Sequence, residues 1–90
     1  MTRKLKEKDI VISKRGFQTE VDTDQIGHTE NINIEGGSRL KVLSIHENIA
    51  MLEVLTPIKN STKYELKNLI QYEFSESNSL EDTFELESAI

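Results

Sequence analysis

A mainly β domain, curled into a small barrel, is the fold that this 90-residue sequence predicts. Three observations lead there. Two apolar runs, residues 40–45 and 49–55, meet at the polar break His46-Glu47-Asn48, as the arms of a hairpin do. Such a pair needs further strands against its apolar face before it is stable in water. Within the pair the apolar parity switches: Leu43 and Ile45 share a face with Ala50, Leu52 and Val54, whereas Leu40 and Val42 fall on the other. A switch between Val42 and Leu43 calls for a bulge or strong bend, the device by which a sheet curls around its own core.

The remaining elements follow in order. Residues 1–7 read as a basic flexible arm. Residues 9–13 are a β-branched run closed by Lys14-Arg15-Gly16, and Phe17, Thr19 and Val21 then alternate with polar neighbours, which predicts a first hairpin. Residues 22–31 hold little that is apolar besides Ile26 and read as a loop. Ile32 and Ile34 alternate with Asn33 and Glu35 into a turn at Gly36-Gly37. The central hairpin comes next and ends at Thr56-Pro57, because proline cannot donate to a ladder.

Residues 63–74 admit two readings. Thr62-Lys63-Tyr64-Glu65 fits a capping box, and Leu66, Leu69, Ile70 and Phe74 recur at helical spacing; this gives an α+β alternative, a curled antiparallel sheet plus one helix over 63–74. The favoured reading puts Tyr64 and Leu66 on one face of a strand, a 3₁₀ turn at Asn68-Leu69-Ile70, and a closing strand begun by Tyr72 and Phe74. Closure is favoured because it removes an exposed edge. Residues 75–90 are rich in Ser, Glu and Asn and read as an acidic flexible tail, leaving 8–74 as the barrel domain.

Composition narrows the function. With 36% hydrophobic and 30% charged residues the core must be thin, and a domain this small buries a low fraction of its surface, so a sheltered reaction cavity is not expected. The expectation is a non-enzymatic protein without a cofactor. The absence of cysteine excludes disulfides and thiolate chemistry. The opening Met1-Thr2-Arg3-Lys4-Leu5-Lys6 has no apolar stretch of the secretory kind and no run approaches membrane-spanning length, so the expected location is the cytoplasm, away from membranes.

Individual motifs mostly exclude chemistry. Asp22-Thr23-Asp24-Gln25-Ile26-Gly27 echoes a calcium loop, but Ile26 stands at the fifth ligand place and Asn33 at the twelfth, where a bidentate carboxylate belongs. His28 and His46 are the only imidazoles and lack ligand spacing, so no metal site is expected. His28, with Thr29 and Asp24 nearby, has no pocket in which to act as a base. Gly36-Gly37-Ser38-Arg39 lacks phosphate-loop spacing, and Asn60-Ser61-Thr62 is a glycosylation sequence without a secretory route.

Binding remains. Net charge is +4 over residues 1–15, −3 over 16–72 and −6 over 73–90. Phe17, Tyr64, Tyr72 and Phe74 are the amphipathic anchors that protein-binding surfaces use, and Leu80, Phe84 and Leu86 give the acidic tail apolar teeth with which to fold onto a basic partner. A barrel edge can also recruit a partner strand. The expected function is a small protein-binding module or inhibitor of a larger cytoplasmic protein, such as one that handles nucleic acid, as a monomer or weak homodimer. The alternative is a nucleic-acid-binding barrel using the basic arm with Lys14, Arg15, Arg39 and Lys41, although a single nearby aromatic, Phe17, and the acidic body oppose it.

The run Gly37-Ser38-Arg39-Leu40-Lys41-Val42-Leu43-Ser44-Ile45 through Glu53-Val54 resembles the strand-turn-strand unit of SH3-like barrels of the KOW and Tudor type. It lacks the second glycine of the KOW turn. The resemblance implies architecture, not activity.

Overall fold

In the computed structural model, residues 4–58 and 64–87 are described. Thr62 of the capping box, the Asn60-Ser61-Thr62 sequence and the first three residues of the arm lie outside them. The elements are β1 (Ile10–Ser13), β2 (Phe17–Asp22), β3 (Thr29–Ile34), β4 (Arg39–His46), β5 (Ile49–Val54), β6 (Leu69–Glu73), α1 (Leu80–Thr83) and β7 (Phe84–Leu86). They form two antiparallel sheets, one in the order β6-β5-β4-β1-β7 and the other a β2-β3 pair. The fold is mainly β.

The central hairpin organises the larger sheet. β4 and β5 pair from Leu40 opposite Val54 to His46 opposite Ile49. Glu47 takes φ 55° in the two-residue loop between them, the positive φ that short hairpin loops require. The register slips between Val42 and Ser44, so the predicted bulge is present and Leu43 is its extra residue. Its effect on facing differs from the expectation. Leu40, Val42 and Ile45 all turn toward the core with Ala50, Leu52 and Val54, while Leu43 turns outward and is 38% exposed. The extra residue absorbs the parity change itself.

Two pairings depart from the sequence reading. β1 and β2 are not a hairpin: β1 lies between β4 and β7, and β2 pairs with β3 from Phe17 opposite Ile34 to Asp22 opposite Thr29. The chain changes sheets at Lys14-Arg15-Gly16, where the Ser13 hydroxyl donates to the Arg15 carbonyl. At Gly16 a Cβ would stand 3.2 Å from the Ile34 carbonyl oxygen, so glycine permits the close crossing. The loop between β2 and β3 is also shorter than expected, because β3 already begins at Thr29.

Residues 64–74 contain no helix, and the expected 3₁₀ turn at 68–70 is replaced by the start of β6, which pairs with β5. Both β1 and β4 have two neighbours, leaving β6 as a sheet edge beside β2. Besides their shared core, the two halves are linked through the backbone at an isolated bridge, Thr23 to Leu66, flanked by Lys67 N–H to the Asp22 carbonyl (2.8 Å) and Asp24 N–H to the Glu65 carbonyl (3.0 Å). No ladder joins β3 to β7. The body is a curled, open arrangement, not a closed barrel.

The segment expected to be a flexible acidic tail is part of this body. β7 pairs with the outer edge of β1, and Leu80 and Phe84 are buried. Leu5, expected in a free arm, is buried too, its N–H donating to the Glu81 carboxylate at 2.8 Å. The physical reason is apolar area: Leu5, Leu80 and Phe84 extend the core over β1 at a cost in chain entropy that their burial offsets. The core they join runs through Val11, Leu40, Val42, Leu52 and Ile70 to Val21, Ile32 and Ile34 of the smaller sheet.

Candidate docking surface

Three of the predicted aromatic and tail anchors meet one another. The rings of Phe17, Tyr72 and Phe84 stack edge to face in every pairing, with centroids 5.3 Å (Phe17–Tyr72), 5.6 Å (Phe17–Phe84) and 5.1 Å (Tyr72–Phe84) apart. They come from β2, β6 and β7 and tie the two sheets to the C-terminal strand. The Tyr72 hydroxyl lies 2.7 Å from Thr83 Oγ1, and both residues belong to this cluster's rim. Phe74 and Leu86 pack half-buried against the same core, and Leu80 is buried. Six of the seven residues expected to grip a partner therefore grip the protein itself. The seventh, Tyr64, stacks on His28 at 4.2 Å.

Thr83 is fully buried, and its hydroxyl is satisfied at short range by Tyr72 and at 3.3 Å by Arg15. Tyr72→Phe and Thr83→Val are each expected to lose about 1 kcal/mol, and the double variant less than their sum. Urea unfolding of the four proteins reads that coupling.

The basic residues of the nucleic-acid alternative are engaged in much the same way. Lys14 Nζ donates to the Glu81 carbonyl at 2.6 Å, and Arg15 donates to Asn78 at 3.0 Å and to Thr83 at 3.3 Å. Arg39 forms a two-pronged pair with the Glu87 carboxylate at 2.9 and 3.1 Å. Lys41 lies opposite Glu53 in the β4–β5 ladder. Three of the four cations thus hold the C-terminal segment, and the fourth has a carboxylate as cross-strand neighbour.

His28 Nε2 lies 2.7 Å from Glu30 Oε1, the nearest approach to a catalytic pair. The neighbouring Thr23 hydroxyl is occupied by the Gln25 and His28 carbonyls. Asp24, close to His28 in sequence, instead accepts from the Glu65 N–H at 3.3 Å. Among the described residues no three His, Asp or Glu side chains converge as a metal-binding group, and no helix is long and apolar enough to cross a membrane.

What is left open is the outer face of the larger sheet. Cross-strand partners share a face, so the register lays out rows: Lys41, Glu53, Leu69; Ser44, Met51, Gln71; His46, Ile49, Glu73. Leu43, Ile49 and Leu69 are exposed there, Leu69 by 44%, and Met51 is half-buried. Where β6 and β2 diverge beyond their bridge, a notch of ≈ 410 Å³ opens beside this face. Met51, Leu69 and Gln71 line one wall, and Glu20, Asp22 and Thr29 belong to the other. None of these was expected from sequence to contact a partner. The available signal was the parity of Met51, Glu53, Leu69 and Gln71, opposite to that of the buried Leu52 and Ile70. Comparison with family models, with curated proteins and with solved structures finds no significant match for the chain.

Proposed function

We propose that the chain is a small non-enzymatic protein-binding module, or inhibitor, that docks on a larger cytoplasmic protein through the outer face of its five-stranded sheet. The observation carrying this reading is the apolar group formed by exposed Leu43, Ile49 and Leu69 with half-buried Met51, beside the β2–β6 notch. Apolar side chains flanked by polar ones form the centre and rim of a protein interface. Glu20, Asp22, Glu53 and Glu73 surround the group, against Lys41 and Lys67, so the complementary partner surface is apolar with a basic rim. An open relative of the SH3-like body is the architecture this reading assumes. The acidic C-terminal segment supports the module from within, by holding Lys14, Arg15 and Arg39, rather than by reaching for the partner.

The test is capture of a native partner by cross-linking, with the intact chain and with Met51→Asp/Leu69→Asp. Leu69 is exposed and Met51 half-buried on the outer face, away from the core, so the variant should fold, as circular dichroism checks, while loss of two central contacts should weaken a specific complex at least about tenfold. A complex indifferent to the pair would refute the surface. Salt-sensitive binding of single-stranded oligonucleotides, abolished by Lys14→Glu/Arg15→Glu, would refute the function in favour of the nucleic-acid reading.

A further inference from the structure

The larger sheet ends in β6 and β7, the smaller in β2 and β3, and these edges differ in how they are guarded. β6 and β2 face each other. β7 is three residues long and carries Glu85, with Glu87 just beyond it. β3 has six residues, Thr29-Glu30-Asn31-Ile32-Asn33-Ile34, and nothing among the described residues pairs with its outer edge.

The direction of its backbone groups follows from the hydrogen bonds of the adjoining strand. Lys67 N–H binds the Asp22 carbonyl, so the backbone of Asp22 points away from β3, and its partner Thr29 likewise points away from β2. Alternation then aims the N–H and C=O groups of Asn31 and Asn33 outward, where they make no bond to a described residue. Their side chains are exposed and uncharged. Lys, Pro or a bulge at such positions would blunt the edge, and β3 has none of these.

We infer that β3 pairs with β3 of a second copy, antiparallel about a two-fold axis at Ile32. In that register Asn31 of each copy lies opposite Asn33 of the other, joined by both backbone bonds. Ile32 meets Ile32, and Glu30 lies opposite Ile34. No like charges are opposed. The two-stranded β2-β3 unit becomes one half of a four-stranded sheet, a size at which a sheet with one apolar face is stable in its own right. A second copy is the occupant that the edge matches, because this short sequence is self-complementary in charge and in apolar position when read against itself. The inference does not rest on the docking surface, whose apolar residues lie on the other sheet and which meets β3 only where Thr29 lines the notch.

Sedimentation of the full chain over about 10 µM to 1 mM should show the weight-average mass rising from 10.3 kDa toward twice that value. Asn31→Lys/Asn33→Lys should weaken association at least about tenfold, by placing lysines opposite one another across the axis. The direction is diagnostic: each copy carries −5, so added positive charge would strengthen any non-specific contact. The chain has no cysteine, so Asn31→Cys/Asn33→Cys under oxidation should give a covalent dimer through 31-to-33 bridges, and Asn31→Cys alone should not. Monomer at every concentration, or a dimer unaffected by the lysines in a variant whose circular dichroism is unchanged, would overturn the inference, as would cross-linking by the single cysteine alone.

Discussion

Phe84→Ala should cost about 3–5 kcal/mol, enough to remove most of the stability of a domain whose total is of order 5–15 kcal/mol. The side chain is fully buried, with the Phe17 and Tyr72 rings against it edge to face. Truncation removes the apolar transfer energy and two aromatic contacts, and it leaves a cavity where three strands from separate parts of the chain converge. The neighbours have little freedom to collapse into it, since Phe17 is held by the β2–β3 ladder and Tyr72 by the β5–β6 ladder. Equilibrium urea unfolding measures the effect as a fall in midpoint at nearly constant slope. Phe84 in a solvated tail would give a change of less than about 0.5 kcal/mol. That result would detach the C-terminal segment from the fold and restore its acids and apolar residues as a free recruiting segment.

Much of the body was legible because its strands carry clean alternation. Val11 and Ser13, Ile32 and Ile34, and Ala50, Leu52 and Val54 are the inward positions of their strands, and each set is spaced by two. The Val42–Leu43 parity break likewise marked the bulge. Pairing was less legible than strand identity. Residues 9–13 and 17–21 are adjacent in sequence and both β-prone, which favours a hairpin locally; their separation into two sheets rests on the remote partners Leu40 and Leu86 of Val11. The segment from Leu80 was obscured for another reason. Leu80 and Phe84 are four apart, as in a helix, while Phe84 and Leu86 are two apart, as in a strand, because a single helical turn passes directly into a three-residue strand. Neither period lasts long enough to stand out among Glu81, Asp82, Glu85 and Glu87.

The candidate site was hidden by the same non-local pairing. Aromatic residues are good interface anchors in general, but Phe17, Tyr72 and Phe84 are also the largest apolar groups available to a thin core, and the core takes them. The proposed docking face then falls to residues of the opposite parity, Met51 and Leu69, which stand out only once β6 is known to pair with β5. The cations follow this logic as well. Arg15 and Arg39 sit beside β1, and the return of the acidic segment to β1 brings Asn78, Thr83 and Glu87 to them.

Leu40→Ala and Leu43→Ala, three positions apart on one strand, should differ sharply: about 2–5 kcal/mol for the first and under about 0.5 kcal/mol for the second. Both are leucines in β4, so helix and strand propensities cancel between them. Only facing differs. Leu40 lies fully buried between Val11 of β1 and Val54 of β5, its partners on either side. Leu43 is the unpaired residue of the bulge and stands out from the sheet. In a bulge-free ladder the parity of the core face would carry through from Ile45 to Leu43 and exclude Leu40, reversing the two costs. The comparison, made by urea unfolding of both variants, therefore reports the bulge directly. On the proposed function the consequence is equally specific, because Leu43 belongs to the exposed apolar group: Leu43→Ala should preserve the fold while weakening the proposed docking, and Leu40→Ala should lower stability without altering the surface that the folded fraction presents.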